Sequence, residues 1–134
     1  MPRPQFLVVD DDESARLVLC GCLEACDYDV SCARNGREAL DLLLRAGKPP
    51  ALSLLDLGMP EMDGREFLER QRQDAAIAGI PVFLLSGSPD LAEIAAACKA
   101  AGYFRKPFLY VHLLEAVRRL MAYGLQKDPA TGSE

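Results

Sequence analysis

The sequence lacks a long apolar run, an excess of basic residues and a group of histidines, and these absences exclude several classes of protein. The apolar run at residues 6–9 stops at three aspartates, so it is too short for a signal peptide or a membrane span. The 15 basic residues are outnumbered by 20 acidic ones, which leaves a net charge of −5 and no basic stripe for nucleic acid. We expect a cytoplasmic protein that binds neither membranes nor nucleic acid.

Cysteine is odd in number, with five residues at Cys20, Cys22, Cys26, Cys32 and Cys98, which leaves at least one of them without a partner in any set of disulfides. In a reducing compartment all five are expected to remain thiols and to serve mostly as small buried hydrophobic residues. Cys22 and Cys26, four residues apart, would share one helix face, so a metal-binding or redox-sensing pair is an alternative. The sole histidine, His112, is far from them in sequence.

The length and composition indicate one globular domain. The chain has 134 residues, of which 50% are hydrophobic and 26% are charged, as is usual for a domain with a single core. The polar, helix-breaking end of the chain has little apolar surface to bury. We therefore expect a folded domain over residues 1–122 and a flexible polar tail over residues 123–134.

Short β-rich runs alternate with longer segments of helical periodicity, which predicts an α/β fold with a parallel sheet. The predicted strands cover residues 5–9, 28–33, 51–55, 80–85 and 103–105. The third and fourth are almost wholly apolar, as strands covered on both faces must be.

The predicted helices cover residues 14–25, 36–46, 64–73, 89–100 and 110–122. Several begin with residues that bind the free N–H groups of a first helical turn. Asn35 with Glu38, and Asp63 with Glu66, resemble capping boxes, and Ser88 before Pro89 predicts a third helix start.

Carboxylates follow two of the predicted strands. Asp10, Asp11 and Asp12 come directly after the first strand, and Asp56 comes directly after the third. In an open parallel sheet, ligands bind at the carboxyl ends of the strands, so neighbouring strands would bring these acids together. Like charges this close raise each other's pKa or require a cation, for which a divalent ion is the natural choice. An all-oxygen donor set favours Mg²⁺ completed by a phosphate oxygen.

Groups suited to a phosphoryl oxygen follow the last two strands. Ser86 offers a hydroxyl, Lys106 offers an ammonium, and Gly87 keeps the approach open. A carboxylate such as Asp56 can then act as the nucleophile and form an acyl phosphate. Each residue also has a purely structural explanation, such as a helix cap, a turn or a solvated side chain. Those explanations require that residues suited to phosphoryl chemistry follow four different strands by chance.

Five sequence motifs closely resemble the receiver domain of two-component response regulators, of the kind found in chemotaxis regulators. The resemblance covers roughly residues 5–122. The motifs are Phe-Leu-Val-Val-Asp-Asp-Asp-Glu at 6–13, Ala-Arg-Asn-Gly-Arg-Glu-Ala-Leu at 33–40, Leu-Leu-Asp-Leu-Gly-Met-Pro-Glu-Met-Asp-Gly at 54–64, Pro-Val-Phe-Leu-Leu-Ser-Gly at 81–87 and Tyr-Phe-Arg-Lys-Pro-Phe at 103–108.

The resemblance implies a doubly wound, flavodoxin-like fold with a five-stranded parallel sheet in the order 2-1-3-4-5. It implies that Asp56 is the phosphoacceptor, that Ser86 and Lys106 bind the phosphoryl group, and that Tyr103 is an aromatic switch. The implied Mg²⁺ ligands are Asp10, Asp11, Asp56 and the backbone carbonyl of Gly58.

The resemblance also implies a signalling role and its partners. The phosphodonor would be a sensor histidine kinase or a histidine phosphotransfer protein, and an unknown downstream protein would bind a changed surface on the fourth helix, fifth strand and fifth helix. The domain would catalyse its own phosphorylation and hydrolysis without being a conventional enzyme, as a monomer or weak dimer.

Three segments depart from the family pattern. The loop at residues 98–102 differs before the fifth strand, and the apolar Leu109 and Tyr110 replace a polar helix cap, so they either contact a partner or pack locally. Gly58 has no side chain, which leaves room for water near an acyl phosphate.

Other functions fit the sequence less well. An aspartate-nucleophile phosphatase of the haloacid dehalogenase type resembles Asp-x-Asp-x-Thr, whereas residues 56–60 lack the second acid. A flavodoxin-like cofactor carrier needs a phosphate loop after the first strand, where three aspartates would repel phosphate. A phosphorylation-independent scaffold or interaction module remains the main alternative.

Overall fold

Strands and helices alternate throughout the computed structural model, which describes residues 3–58 and 64–123. The strands are β1 (Gln5–Val9), β2 (Asp29–Ala33), β3 (Leu52–Asp56), β4 (Val82–Ser86) and β5 (Gly102–Arg105). The helices are α1 (Glu13–Ala25), α2 (Gly36–Arg45), α3 (Gly64–Gln73), α4 (Leu91–Cys98) and α5 (Tyr110–Tyr123). The described helices include none long and apolar enough to cross a membrane.

The strands form one parallel sheet in the order β2-β1-β3-β4-β5, which confirms the predicted fold class and strand order. Register pairs Val9 of β1 with Leu55 of β3, and Asp56 of β3 with Leu85 of β4. The carboxyl ends of the strands therefore meet at one edge of the sheet, because parallel strands all end on the same side.

Two hydrophobic clusters cover the two faces of the sheet, as expected for a doubly wound fold. On one face, Leu19 and Leu23 of α1 and Leu113 and Val117 of α5 pack with alternate residues of the strands. On the other face, the buried residues of α2, α3 and α4 form the second cluster. Strands β3 and β4 are buried along their whole length, which agrees with their apolar sequences.

The boundaries agree closely with the predicted ones except at α4. This helix begins at Leu91 after Asp90, so the prediction that Ser88 caps it is wrong. Ser88 is used in the preceding loop instead: its N–H donates to the Ser86 hydroxyl and its own hydroxyl donates to the Asp90 carboxylate. The helix ends before Lys99, which adopts the left-handed conformation with φ of 58°.

The predicted cap of α2 is confirmed in part. The side chain of Asn35 accepts a hydrogen bond from the N–H of Glu38 at 2.8 Å. The Glu38 carboxylate accepts from the N–H of Arg34 at 2.7 Å, one residue before the expected cap position. The other proposed capping residue, Asp63, and the tail at residues 124–134 lie outside the described residues.

Two of the cysteines differ from the expectation of free thiols. The structure joins Cys20 of α1 to Cys32 of β2 in a disulfide, while Cys22, Cys26 and Cys98 are free. The pair forms because α1 packs over the sheet face that carries Cys32. The 12-residue sequence separation gives no sign of this contact.

The start of α3 is packed directly against the chain that follows β3. A Cβ atom added to Gly64 would lie 2.7 Å from the Cα of Leu57 and 3.0 Å from the Asp56 carbonyl oxygen. The N–H of Gly64 donates to the Leu57 carbonyl at 3.0 Å. Only glycine allows this approach, which holds the segment just after Asp56 in place.

We predict that Gly64→Ala lowers the free energy of unfolding by about 1–3 kcal/mol, because the added methyl group overlaps backbone atoms that cannot move away cheaply. Urea unfolding measures the change. The matched control is Gly21→Ala on α1, where nothing lies within 4 Å of the added atom. That variant should be neutral or more stable by up to about 1 kcal/mol, since alanine favours a helix. Equal stability of the two variants would contradict the prediction.

Candidate functional site

Two buried carboxylates face each other at the carboxyl edge of the sheet. Asp56 is the last residue of β3 and Asp10 directly follows β1, its immediate neighbour. Their relative exposures are only 6% and 3%. Burial of a charged group is costly unless an opposite charge or hydrogen bonds compensate it, so this pair determines what else the site must contain.

Lys106 supplies positive charge to both acids. It follows β5, and its Nζ lies 3.5 Å from Oδ1 of Asp56 and 3.7 Å from Oδ2 of Asp10. The backbone N–H of Lys106 donates to the Ser86 carbonyl at 2.8 Å, and the peptide bond to Pro107 is cis. The β4–β5 ladder therefore aims this ammonium at the acids.

Asp10 is held by the first turn of α1. The N–H of Asp12 donates to Oδ1 of Asp10 at 2.9 Å, and the guanidinium of Arg16 donates to the Asp10 carbonyl at 2.9 Å. Asp12 itself accepts from the N–H groups of Ser14 and Ala15, which makes it the N-cap of α1. The consecutive aspartates therefore have different roles, because Asp12 caps the helix while Asp10 belongs to the site. No motif in the sequence indicated that Arg16 binds the Asp10 carbonyl.

Asp11 completes a cluster that could hold a metal ion. One carboxylate oxygen from each of Asp10, Asp11 and Asp56 lies within 4.8 Å of the others. Among the described residues, the Lys106 ammonium is the cation that pairs with this cluster, and it pairs with Asp10 and Asp56, so the described part of the site has an excess of negative charge. An all-oxygen donor set with one exposed member suits a hard divalent cation that keeps several waters, which is the preference of Mg²⁺.

The pKa of Asp56 is raised to about 6, mainly because the carboxylate is buried. The Lys106 ammonium and the Gly58 N–H oppose this rise, and the neighbouring Asp10 carboxylate adds to it. The Gly58 N–H lies 3.4 Å from Oδ1 of Asp56. A cation between the acids would favour the charged form that a nucleophile needs.

Ser86 ends β4, beside Asp56. It is 7% exposed, and it follows Leu85, the residue that pairs with Asp56 across the sheet. Its hydroxyl accepts a hydrogen bond from the N–H of Ser88 at 3.0 Å. The Ser86 hydroxyl therefore lies next to the acidic cluster and is hydrogen-bonded within the loop that follows β4.

A cavity of about 470 Å³ adjoins the acidic cluster between α1 and the start of α5. Asp10, Asp12 and Lys106 line its polar side, and apolar residues, including Leu19 and Phe108, line the rest. Tyr110 packs edge-on against Phe108 with ring centroids 5.5 Å apart, while Leu109 is 61% exposed. Of the two apolar residues that replace a polar helix cap, Tyr110 therefore packs locally, whereas Leu109 faces solvent.

Tyr103 is not part of the acidic cluster. It lies half-buried on β5, opposite Leu84 of β4, and packs against the hydrophobic cluster on the α2, α3 and α4 side. The structure thus brings together Asp10, Asp11, Asp56 and Lys106, places Ser86 beside them, and leaves Tyr103 at a distance.

Comparison with known proteins agrees with this geometry. The family described as the response regulator receiver domain matches residues 6–118. The chain belongs to the response regulator receiver domain family. Receiver domains are signalling domains and not conventional enzymes, and the match confirms the family predicted from the motifs.

The curated relatives are longer proteins of two-component signalling. The response regulator MprA of Mycolicibacterium vanbaalenii is 35% identical over 94% of this chain and 54% of its own length. The sensor histidine kinase TmoS of Ectopseudomonas mendocina is 33% identical over 94% of this chain and 13% of its own length. The chain therefore spans about half or less of these relatives.

Solved structures of single receivers match along their whole length. The chemotaxis response regulator CheY4 of Vibrio cholerae has a TM-score of 0.79 and 30% identity, over 89% of this chain and 99% of that one. The signal receiver domain of a histidine kinase from Syntrophus aciditrophicus has a TM-score of 0.79 and 29% identity, over 98% and 99%. Both share the receiver fold with this chain.

We predict that Asp56→Asn raises the melting temperature of metal-free protein at pH 7 by a few degrees, corresponding to about 1–2 kcal/mol. The pKa of Asp56 is about 6 in the folded state, above the ordinary value of 3.8, so the folded state binds the proton more tightly. Stability should then fall as the pH rises from about 4 to 6, and asparagine, which carries no charge, escapes this loss.

Calorimetry in chelator-containing buffer makes the measurement, and the same pair of proteins at pH 4 is the control. Near pH 4 the wild-type carboxyl group is protonated in the folded state, so the gain should disappear there. A gain of equal size at both pH values would show that charge burial is not its cause.

Proposed function

We propose that Asp56 accepts a phosphoryl group and that the domain transmits a signal in this phosphorylated state. The observation that carries the proposal is the position of Asp56, which is buried beside Asp10 with the Lys106 ammonium 3.5 Å away. A carboxylate in this position can act as a nucleophile, and the Lys106 ammonium can pair with the negative charge of the phosphoryl group that Asp56 accepts.

In the proposed transfer, a carboxylate oxygen of Asp56 attacks the phosphorus of the donor, and the bond from phosphorus to the donor breaks. The leaving group keeps the electron pair and takes up a proton. Lys106 would pair with a phosphoryl oxygen, and the Ser86 hydroxyl would exchange its bond with Ser88 for one to another oxygen. Positioning and charge stabilisation of this kind supply most of the catalysis in phosphoryl transfer.

Asp10, Asp11, Asp56 and the backbone carbonyl of Gly58 would hold the metal ion. Mg²⁺ bound there neutralises charge on the acids and on the transferring group. The cluster of carboxylate oxygens within 4.8 Å of one another supports this ligand set. The fixed hydrogen bonds from Asp12 and Arg16 keep Asp10 oriented toward it.

The proposed donor is a phosphohistidine on a sensor histidine kinase or on a histidine phosphotransfer protein. The likeness to a receiver within a sensor kinase and to a separate response regulator supports donors of this class. Such donors receive their phosphoryl group from intracellular ATP, so the proposal includes a cytoplasmic location.

The proposed output is a changed surface on α4, β5 and α5. When Ser86 moves toward the phosphoryl group, space opens on the side where Tyr103 lies, and the ring can move into it. The half-buried position of Tyr103 on β5, two residues before Arg105, the register partner of Ser86, supports this coupling. A downstream protein would recognise the rearranged face.

Incubation with Mg²⁺ and acetyl phosphate should add one phosphoryl mass to the protein, as measured by intact mass spectrometry. Asp56→Asn should gain none, because its amide is not a nucleophile. Lys106→Ala should slow labelling by about tenfold or more, since an oriented charge partner is lost. The matched control is Asp41→Asn, which alters an exposed acid on α2 and should be labelled at the wild-type rate.

Labelling of the Asp56→Asn variant at the wild-type level would place the acceptor elsewhere. Binding of beryllofluoride with Mg²⁺ tests the same site without a covalent step. It should raise the melting temperature of the wild type, because a ligand that binds only the folded state stabilises it.

Fluorine NMR of protein labelled with fluorotyrosine should report the switch. Addition of Mg²⁺ and beryllofluoride should shift the resonance of Tyr103. The control is Tyr28, which stacks on Phe6 with ring centroids 4.5 Å apart on the other face of the sheet and should not respond. An unchanged Tyr103 resonance at saturating beryllofluoride would exclude it as the switch.

A further inference from the structure

A pair of cysteines links helix α1 to β2, a lateral strand of the sheet, and neither cysteine belongs to the acidic cluster. Cys20 on α1 and Cys32 on β2 are joined through their sulfur atoms. Strand β2 is the outer strand of the sheet and pairs only with β1 among the described strands. The link therefore joins a helix that contributes to the phosphorylation site to one of the two lateral strands of the sheet.

The fold brings these two side chains together. Cys32 pairs with Val8 of β1 in register, so both side chains project from the same face of the sheet. Val8 belongs to the hydrophobic cluster that also contains Cys20, between Leu19 and Leu23 in the buried stripe of α1. The two sulfur atoms thus meet between the helix and the sheet.

The two cysteines differ in access to solvent. Cys20 is buried, with 6% exposure, whereas Cys32 is exposed on the lateral strand β2. A small redox molecule would therefore approach the pair from the side of Cys32. Cys32 is thus suited to be the attacking thiol, and the buried Cys20 is suited to be the resolving thiol that completes the disulfide.

We propose that Cys20 and Cys32 form a reversible disulfide that responds to the cellular thiol–disulfide balance. This inference rests on the cytoplasmic location included in the proposed function, because intracellular disulfides are mostly transient or redox-sensing. The expected reaction partner is a small-molecule disulfide of the glutathione class.

The exchange balances in two steps. The thiolate of Cys32 attacks one sulfur of the glutathione disulfide, a mixed disulfide forms, and one glutathione thiolate leaves and takes up a proton. The thiolate of Cys20 then attacks the Cys32 sulfur, the mixed disulfide breaks, and the second glutathione leaves in the same way. Two protein thiols are oxidised, and one glutathione disulfide is reduced to two thiols.

The bond acts on the helix that orients part of the phosphorylation site. The same α1 carries Arg16, whose guanidinium holds the Asp10 carbonyl, and it is capped by Asp12, whose N–H holds the Asp10 carboxylate. The disulfide ties the helix that orients Asp10 to β2, so its reduction removes a covalent constraint on this helix.

The test is an equilibration of the full chain with glutathione buffers of graded thiol-to-disulfide ratio. Acid quenching and alkylation then trap the free thiols, and intact and peptide mass spectrometry count them. We expect five alkylated cysteines at strongly reducing ratios and three at oxidising ratios, with Cys20 and Cys32 recovered as one cross-linked peptide. The midpoint should lie at a ratio between the two extremes.

Cys32→Ser should abolish the transition, and because this residue is exposed the variant should fold. The matched control is Cys26→Ser, which removes an exposed cysteine at the end of α1 and should leave the transition unchanged. Five free thiols at every ratio, a permanent bond at every ratio, or a transition that survives Cys32→Ser would each overturn the proposal. Asp56→Asn should keep the transition, so failure of the phosphorylation proposal would be seen separately.

Discussion

The buried pair formed by Asp10 and Asp56 is the constraint on which the rest of the site depends. Two carboxylates at adjacent strand ends repel each other in a poorly solvated pocket, and burial raises the pKa of Asp56 to about 6. Lys106 compensates part of this charge from the end of β5. The remaining negative charge is what makes the site suitable for a divalent cation and for the phosphoryl group that a cation accompanies.

The sheet provides the rigidity that such a pocket requires. Strands β3 and β4 are buried along their whole length between two hydrophobic clusters, so their ends are fixed relative to each other. The residues with chemical roles lie at or just beyond those ends, where the backbone leaves the sheet. Like-charge repulsion is thereby opposed by packing that does not involve the charged groups themselves.

Helix α1 connects the site to other parts of the molecule. Its first turn orients Asp10 through Asp12 and Arg16, its inner face packs in the core, and its middle contacts the edge strand through Cys20. Strand β2 and the carboxylate of Asp10 are thus connected through one helix.

The order of strands and helices, the parallel sheet and the acids at its edge followed from the sequence by itself. Apolar runs of strand length, helical periodicity and carboxylates directly after two strands are local signals, and parallel strands must end on the same side. Tertiary structure alone decided that Asp12 is a cap while Asp10 faces Asp56, and that Asp90 and not Ser88 is the residue directly before α4. It alone also paired Cys20 with Cys32 and set Tyr110 against Phe108. The physical reason is that each of these side chains has several partners within reach, and periodicity and spacing do not say which partner the packing of the helices on the sheet selects.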